Sequence, residues 1–157
     1  MEIILAENHG FCYGVKRAVE MANEAAESKG KSYTLGPIIH NPQVVGRLES
    51  KGVSPIQEVA DIDEGTMIIR SHGVGPAIYA EAEEKGLHIL DATCPHVKKA
   101  QQDAKSVIED GMTLVILGEK NHPEVKSINL WANNKGIIIE DEESAEKLQI
   151  VEKMGVV

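Results

Sequence analysis

The stretch TMIIRSHGVGPAIYAEAEEKGLHILDATCPHVKKAQQDAKSVIEDG, residues 66–111, alternates short apolar runs with longer amphipathic ones. Residues 66–69 and 88–90 are aliphatic and short, which is typical of buried strands. Residues 76–85 and 97–110 have helical periodicity, and a glycine follows each of them as a stop signal. Repeated strand–helix units predict an α/β fold with parallel sheets and right-handed crossovers.

The same alternation continues towards both ends of the chain. Further strands are predicted at 2–6, 32–35, 113–117 and 136–139, and further helices at 15–29, 42–51, 123–133 and 144–148. The last residues, 151–157, begin like a seventh strand. No linker rich in Pro, Gly or Ser divides the chain, so we expect the boundary in the short loop at Cys94, with a first α/β lobe at 1–94 and an incomplete second lobe at 95–157.

Composition excludes several classes of function. The chain has 157 residues, 42% hydrophobic and 26% charged, which is typical of a globular protein. A net charge of −9 disfavours a nucleic-acid backbone or an anionic membrane as the main partner. No apolar run reaches the ~20 residues of a membrane span, and the first residues lack a signal peptide's basic region. We therefore predict a cytoplasmic protein, in which a disulfide between Cys12 and Cys94 is not expected.

Histidines and cysteines concentrate in the loops that follow predicted strands, which is where parallel α/β sheets bind their ligands. The chain has six histidines and two cysteines, and only His88 lies outside these loops, at the beginning of a strand. The residues inside them are His9, Cys12, His40, His72, Cys94, His96 and His122. This distribution predicts one convergent site.

Both cysteines stand between a strand and a helix. Cys12 lies in GFCYGV at 10–15, where glycines let the backbone approach a bulky group and the helix N-terminus favours a thiolate. Cys94 lies in DATCP at 91–95, before a helix-starting proline. Either cysteine alone is equally well explained as a small residue in a tight turn. Together they favour a shared metal, although two thiolates are too few for a closed zinc site or an iron–sulfur cluster.

Three histidines share one pattern, because His40, His72 and His122 each stand just before a predicted helix. Free N–H groups at helix N-termini attract anions, so the set indicates a phosphate or diphosphate site to which Arg70 adds a donor. A single loop histidine is more often a capping or surface residue. Glu124 follows in the first turn of its helix, where it either delivers protons to a ligand or only interacts with the helix dipole.

Five motifs, in this order and spacing, resemble those of LytB-type hydroxymethylbutenyl diphosphate reductases. They are GFCYGV at 10–15, GPIIHN at 36–41, RSHGV at 70–74, DATCP at 91–95 and HPEV at 122–125. The resemblance implies a three-lobed α/β protein around a 4Fe-4S cluster that is bound by three cysteines. The present chain would form the first lobe and part of the second.

The resemblance also implies a role for each matched residue. Cys12 and Cys94 would be cluster ligands, and Glu124 would supply protons. The diphosphate would be held by the three histidines named above: His40, His72 and His122. The family reaction is the reductive dehydroxylation of (E)-4-hydroxy-3-methylbut-2-enyl diphosphate to isopentenyl and dimethylallyl diphosphates, the last step of non-mevalonate isoprenoid synthesis. A ferredoxin or flavodoxin-like protein would donate the electrons.

Two departures qualify this expectation. The family chain is nearly twice as long, so the third cysteine ligand is absent here, and we expect this chain to fold without holding an intact cluster. Residues 126–129, KSIN, replace a continuation that contains more glycine. Two alternatives remain: a zinc hydrolase that uses Cys94, two histidines and Glu124 as base, and a non-catalytic phosphate-binding module.

Overall fold

The computed structural model describes residues 1–7, 9–28, 30–149 and 152–157. Six helices and seven strands follow one another along the described chain, with a 3-10 turn at Val59–Asp61. The helices are α1 Tyr13–Glu27, α2 Pro42–Ser50, α3 Pro76–Glu84, α4 Pro95–Glu109, α5 Pro123–Trp131 and α6 Glu142–Glu146. The strands are β1 Ser32–Leu35, β2 Val53–Ile56, β3 Thr66–Ile69, β4 His88–Asp91, β5 Thr113–Leu117, β6 Ile137–Ile139 and β7 Met154–Val156.

The first sheet has the order β2-β1-β3-β4, and every pair in it is parallel. Leu35 at the end of β1 pairs with Ile56 on one side and with Ile69 on the other, and Ile69 pairs with Asp91. This register brings the carboxyl ends of all four strands to one edge. The loops that leave β1, β3 and β4 therefore begin side by side.

Side chains alternate along each strand, so both faces of this sheet carry apolar residues, and helices cover both faces. Ile68 faces a cluster to which α1 contributes three alanines and α2 contributes Val44 and Leu48. Met67 and Ile69 face the opposite cluster, which includes residues of α3 and of the 3-10 turn. The small alanines let α1 pack closely on the sheet and on α2.

The second sheet has the order β6-β5-β7 and is also parallel. Leu114 and Ile116 of β5 pack with α4 and α5 in a third core cluster. Helices α4 and α5 also contact each other closely. No helix of the described residues is long and apolar enough to cross a bilayer.

The predicted α/β class with parallel sheets of repeated βα units is confirmed. The prediction missed β2, because Pro55 lies inside it; a proline is tolerated there since β2 is an edge strand. The predicted strand at 2–6 is wrong. Ile3 and Ile4 are 75% and 85% exposed, and an apolar run forms a strand only where another strand supplies hydrogen bonds.

Several boundaries also differ from the sequence prediction. Helix α1 begins at Tyr13 rather than at 15, and α4 begins at Pro95 rather than at 97, because proline suits the first helical position. Helix α5 ends at Trp131 rather than at 133, where the backbone turns left-handed at Asn133 with φ 54°. Helix α6 begins earlier than predicted because Asp141 caps it. The predicted endpoints at 29 and 151 lie outside the described residues.

We expect Ile68→Ala to lower the free energy of unfolding by about 2–5 kcal/mol, because Ile68 is fully buried between the sheet and α1. Urea denaturation measures the change. Ile3→Ala, the same substitution at an exposed position, is the matched control and should change it by less than about 0.5 kcal/mol. Equal losses in the two variants would contradict this packing.

Candidate functional site

Three imidazole rings from three different loops meet at the carboxyl edge of the strands. The ring centroids of His40 and His72 are 4.4 Å apart. The ring centroid of His122 lies 5.8 Å from that of His40 and 5.5 Å from that of His72. One ring nitrogen from each residue lies within 4.8 Å of the other two. His40 is exposed and the other two are half-buried, so a ligand can reach the group, which we call the histidine cluster.

His72 lies at the crowded centre of the histidine cluster. Burial, and then electrostatic interaction with His40, Arg70 and His122, lowers the pKa of His72 from 6.5 to about 4. Its Nδ1 is buried without a hydrogen-bond partner among the described residues. Because the folded state disfavours protonation of His72, the free energy of unfolding is at its full value above pH 6.5 and decreases as the pH falls towards 4. At neutral pH His72 therefore offers an uncharged N–H donor.

His122 caps the helix that carries Glu124. The Nδ1 atom of His122 accepts a hydrogen bond of 3.3 Å from the backbone N–H of Glu124. A neutral imidazole that accepts through Nδ1 carries its hydrogen on Nε2, which can then donate to a ligand. Glu124 lies in the first turn of α5, two residues after His122, and is half-buried.

The two cysteines occupy equivalent places, since each is the N-cap residue of a 15-residue helix. Both are free thiols, Cys12 exposed and Cys94 partly buried. The Sγ atom of Cys94 packs on the first turn of α1, so closely that a Cβ atom on Gly14 would clash with it. Arg17 of α1 donates from its guanidinium to the carbonyl of Thr93 at 3.2 Å. The cysteine loops are thus joined directly.

One backbone hydrogen bond links the cysteine loops to the histidine cluster. The N–H of Cys94 donates to the carbonyl of Ser71 at 2.9 Å, next to His72. The structure therefore brings together the loops of all six sequence-predicted site residues: Cys12, His40, His72, Cys94, His122 and Glu124. Their chemical roles remain predictions. His9, in contrast, is exposed, and its Nδ1 atom lies 2.8 Å from the nearby carbonyl oxygen of Ala6.

Residues 3–157 match a protein-family model described as LytB protein. This chain belongs to the LytB protein family. It is 50% identical to 4-hydroxy-3-methylbut-2-enyl diphosphate reductase of Geobacter metallireducens and 51% identical to that of Pelobacter propionicus, in both cases over all of this chain and 56% of the relative. The LytB chain thus spans little more than half the length of these relatives.

Two solved structures also match almost all of this chain over about half of their own length. The LytB chain matches a structure of (E)-4-hydroxy-3-methyl-but-2-enyl diphosphate reductase, described as the terminal enzyme of the non-mevalonate pathway, with a TM-score of 0.84 and 46% identity. That match covers 98% of this chain and 56% of the other. The Plasmodium falciparum reductase matches with a TM-score of 0.90 and 32% identity, over 96% of this chain and 49% of that one.

Sequence reasoning missed the residues of the LytB chain that hold the His72 loop in place. The hydroxyl of Ser127 donates to the carbonyl of His72 at 2.8 Å and accepts from the side-chain amide of Gln101 at 3.1 Å. Trp131 donates from Nε1 to the carbonyl of Val74 at 2.9 Å. Ser127 lies in the segment that departs from the family pattern, and that departure was the only signal in the sequence.

A second group fixes the loop that carries Cys94. The carboxylate of Asp91 accepts from the hydroxyl of Tyr79 at 2.9 Å and from the backbone N–H of Thr93 at 2.9 Å, and it pairs with Lys98 at 2.6 Å. Burial raises the pKa of Asp91, but the bonds from Lys98, Thr93 and Tyr79 offset this and leave the pKa below its ordinary value. Asp91 therefore stays ionised and anchors the loop.

We expect Ser127→Ala to lower the free energy of unfolding by about 1–3 kcal/mol, because the buried carbonyl of His72 and the amide of Gln101 would lose their partner. Urea denaturation and amide hydrogen exchange of the His72 loop measure the effect, and exchange there should become faster. Ser54→Ala on the exposed face of β2 is the control. Unchanged stability and exchange in Ser127→Ala would show that the hydroxyl does not hold the loop.

Proposed function

We propose that this chain supplies the diphosphate-binding loops and two cluster ligands of a 4-hydroxy-3-methylbut-2-enyl diphosphate reductase. The meeting of three imidazoles with the loops of two free cysteines at one sheet edge is the observation that carries this function. Membership of the LytB family supports it. Residues 1–94 would form the first lobe of that enzyme and 95–157 part of a second, which agrees with the division of the strands into two sheets.

The histidine cluster suits an anionic group better than a cation. His72 is neutral at physiological pH, and the positive Arg70 lies close enough to lower its pKa further. His122 presents an Nε2–H donor when its Nδ1 accepts from Glu124. Several N–H donors aimed at one point, with a positive charge nearby, are the features that bind phosphate oxygens. We therefore assign the diphosphate of the substrate to His40, His72 and His122.

Cys12 and Cys94 fit two ligands of a 4Fe-4S cluster. Both thiols are free, both stand at helix N-termini, and the missing side chain of Gly14 lets the Cys94 sulfur approach the first turn of the helix that follows Cys12. When bound, such a cluster supplies single electrons and an iron that can accept the substrate oxygen. Because a cluster needs three or four thiolates and this chain has two cysteines, a further ligand must come from elsewhere.

The other parts of the chain would prepare the substrate. Diphosphate held by the three imidazoles orients the allylic alcohol, which removes much of the entropic cost of reaction. Glu124, at the rim of the histidine cluster, would deliver a proton to the leaving hydroxyl. A ferredoxin or flavodoxin-like electron donor and a cytoplasmic location are further parts of this proposal.

One observation favours the zinc alternative, because three imidazole nitrogens within 4.8 Å can hold a metal ion. The neighbouring Arg70 opposes it, since a guanidinium disfavours a second cation. Metal analysis separates the two functions: zinc without acid-labile sulfide would support the hydrolase. Diphosphate binding that survives replacement of both cysteines would support the non-catalytic phosphate-binding module.

We expect His72→Ala to weaken the binding of inorganic diphosphate to this chain by roughly tenfold or more, because a hydrogen bond to a charged group contributes about 1.5–3 kcal/mol. Isothermal titration calorimetry measures the affinity. His88→Ala, an exposed histidine where β4 begins, is the control and should bind as the unmodified chain does. Equal affinities for His72→Ala and the control would refute the assignment of the diphosphate.

Anaerobic reconstitution with iron and sulfide tests the cluster assignment. We expect this chain to take up iron that is largely lost on desalting, because two thiolates leave the cluster under-ligated. The transient uptake should fall in Cys12→Ser and in Cys94→Ser, while Ser50→Ala is unchanged. A monomer that keeps a full cluster after desalting would show that this chain needs no third protein ligand to hold one.

A further inference from the structure

A cavity of about 320 Å³ lies beside the histidine cluster but is lined by other residues. It opens between the loops after β1 and β3 and the face of α5. Its polar side chains include Arg70, Lys126 and Gln57, and no acidic residue among those that the structure describes lines it. Apolar side chains form the remaining walls: Leu35, Val74, Ile78 and Leu130.

Arg70 has a charge without a counter-ion. Its Nε atom is buried and has no hydrogen-bond partner among the described residues, where it also forms no ion pair. Its Nη1 atom packs on the backbone of Gly36, where a Cβ atom would lie only 2.6 Å away. A guanidinium that is half-buried and unpaired is costly, unless an anion occupies the adjoining space.

Lys126 brings a second positive charge to the same cavity from the first turns of α5. It too lacks an ion pair within the part of the chain that the structure describes. Gln57 adds an amide donor from the end of β2. A cavity with two cations and no carboxylate is unusual in a chain with a net charge of −9, and it therefore concentrates anions locally.

We propose that this cavity is a second anion site, which binds the phosphate group of a small phosphorylated ligand through Arg70 and Lys126. Arg70 provides a planar fork of N–H donors for phosphate oxygens, and Lys126 provides a mobile point charge. The apolar walls receive a short hydrocarbon group of a phosphate ester. The site is separate from the proposed diphosphate site, since none of the three histidines lines the cavity.

Calorimetric titration of this chain with inorganic diphosphate, and separately with isopentenyl diphosphate, tests the proposal. We expect two bound equivalents for the unmodified chain and a loss of at least tenfold in the affinity of one of them in Arg70→Gln/Lys126→Gln. Lys105→Gln/Lys147→Gln removes two charges from exposed ion pairs and should bind as the unmodified chain does. Tighter binding of isopentenyl diphosphate than of inorganic diphosphate at the second site would support the apolar walls as the part of that site that receives the hydrocarbon group.

Two further variants distinguish the second anion site from the proposed diphosphate site. Lys126→Glu changes an exposed residue, so it tests the site even if Arg70→Gln does not fold, and it should abolish the second equivalent. His72→Ala should weaken only the other equivalent, so failure of the proposed function would be seen separately from failure of this site. A single equivalent in the unmodified chain, or unchanged binding in Lys126→Glu, would overturn the proposal.

Discussion

The parallel register of β1, β3 and β4 is the constraint on which the site depends. Because Leu35, Ile69 and Asp91 lie side by side at the ends of their strands, the loops that follow β1 and β4 each start one strand spacing from the loop that follows β3. The hydrogen bond from Cys94 N–H to the carbonyl of Ser71 continues this alignment one step beyond the sheet. A shift of one residue would direct the adjoining side chains to the opposite face.

Helix α5 completes an arrangement that the first sheet begins. Ser127 and Trp131 bond to carbonyls of the His72 loop, so His122, at the start of the same helix, is fixed relative to His72. The three imidazoles thus come from loops of both sheets, and α5 fixes two of them, His72 and His122, relative to each other. Side chains packed in this way lose little further freedom when a ligand binds, and this pre-organisation favours affinity.

The fold was largely predictable from sequence because strand–helix alternation is a local signal, whereas the exceptions depend on tertiary context. Residues 2–6 have the composition of a strand but no partner strand among the described residues, and β2 is a strand in spite of Pro55. The site loops could be predicted since histidine and cysteine are uncommon. Ser127 could not, because a buried serine has no sequence pattern until its partners, Gln101 and the His72 carbonyl, are known.

The chain as a whole is negatively charged, whereas its candidate site carries positive charge. The net charge is −9, yet the ligand-facing edge carries the neutral His72 together with Arg70 and Lys126. A neutral N–H donor at His72 binds an anion without adding a positive charge 4.4 Å from the ring of His40 and 5.5 Å from that of His122. Burial lowers the pKa of Arg70 too, but a guanidinium stays protonated at any physiological pH. At this edge, permanent charge therefore comes from Arg70 in the cavity, and directional hydrogen bonding comes from the histidines of the neighbouring cluster.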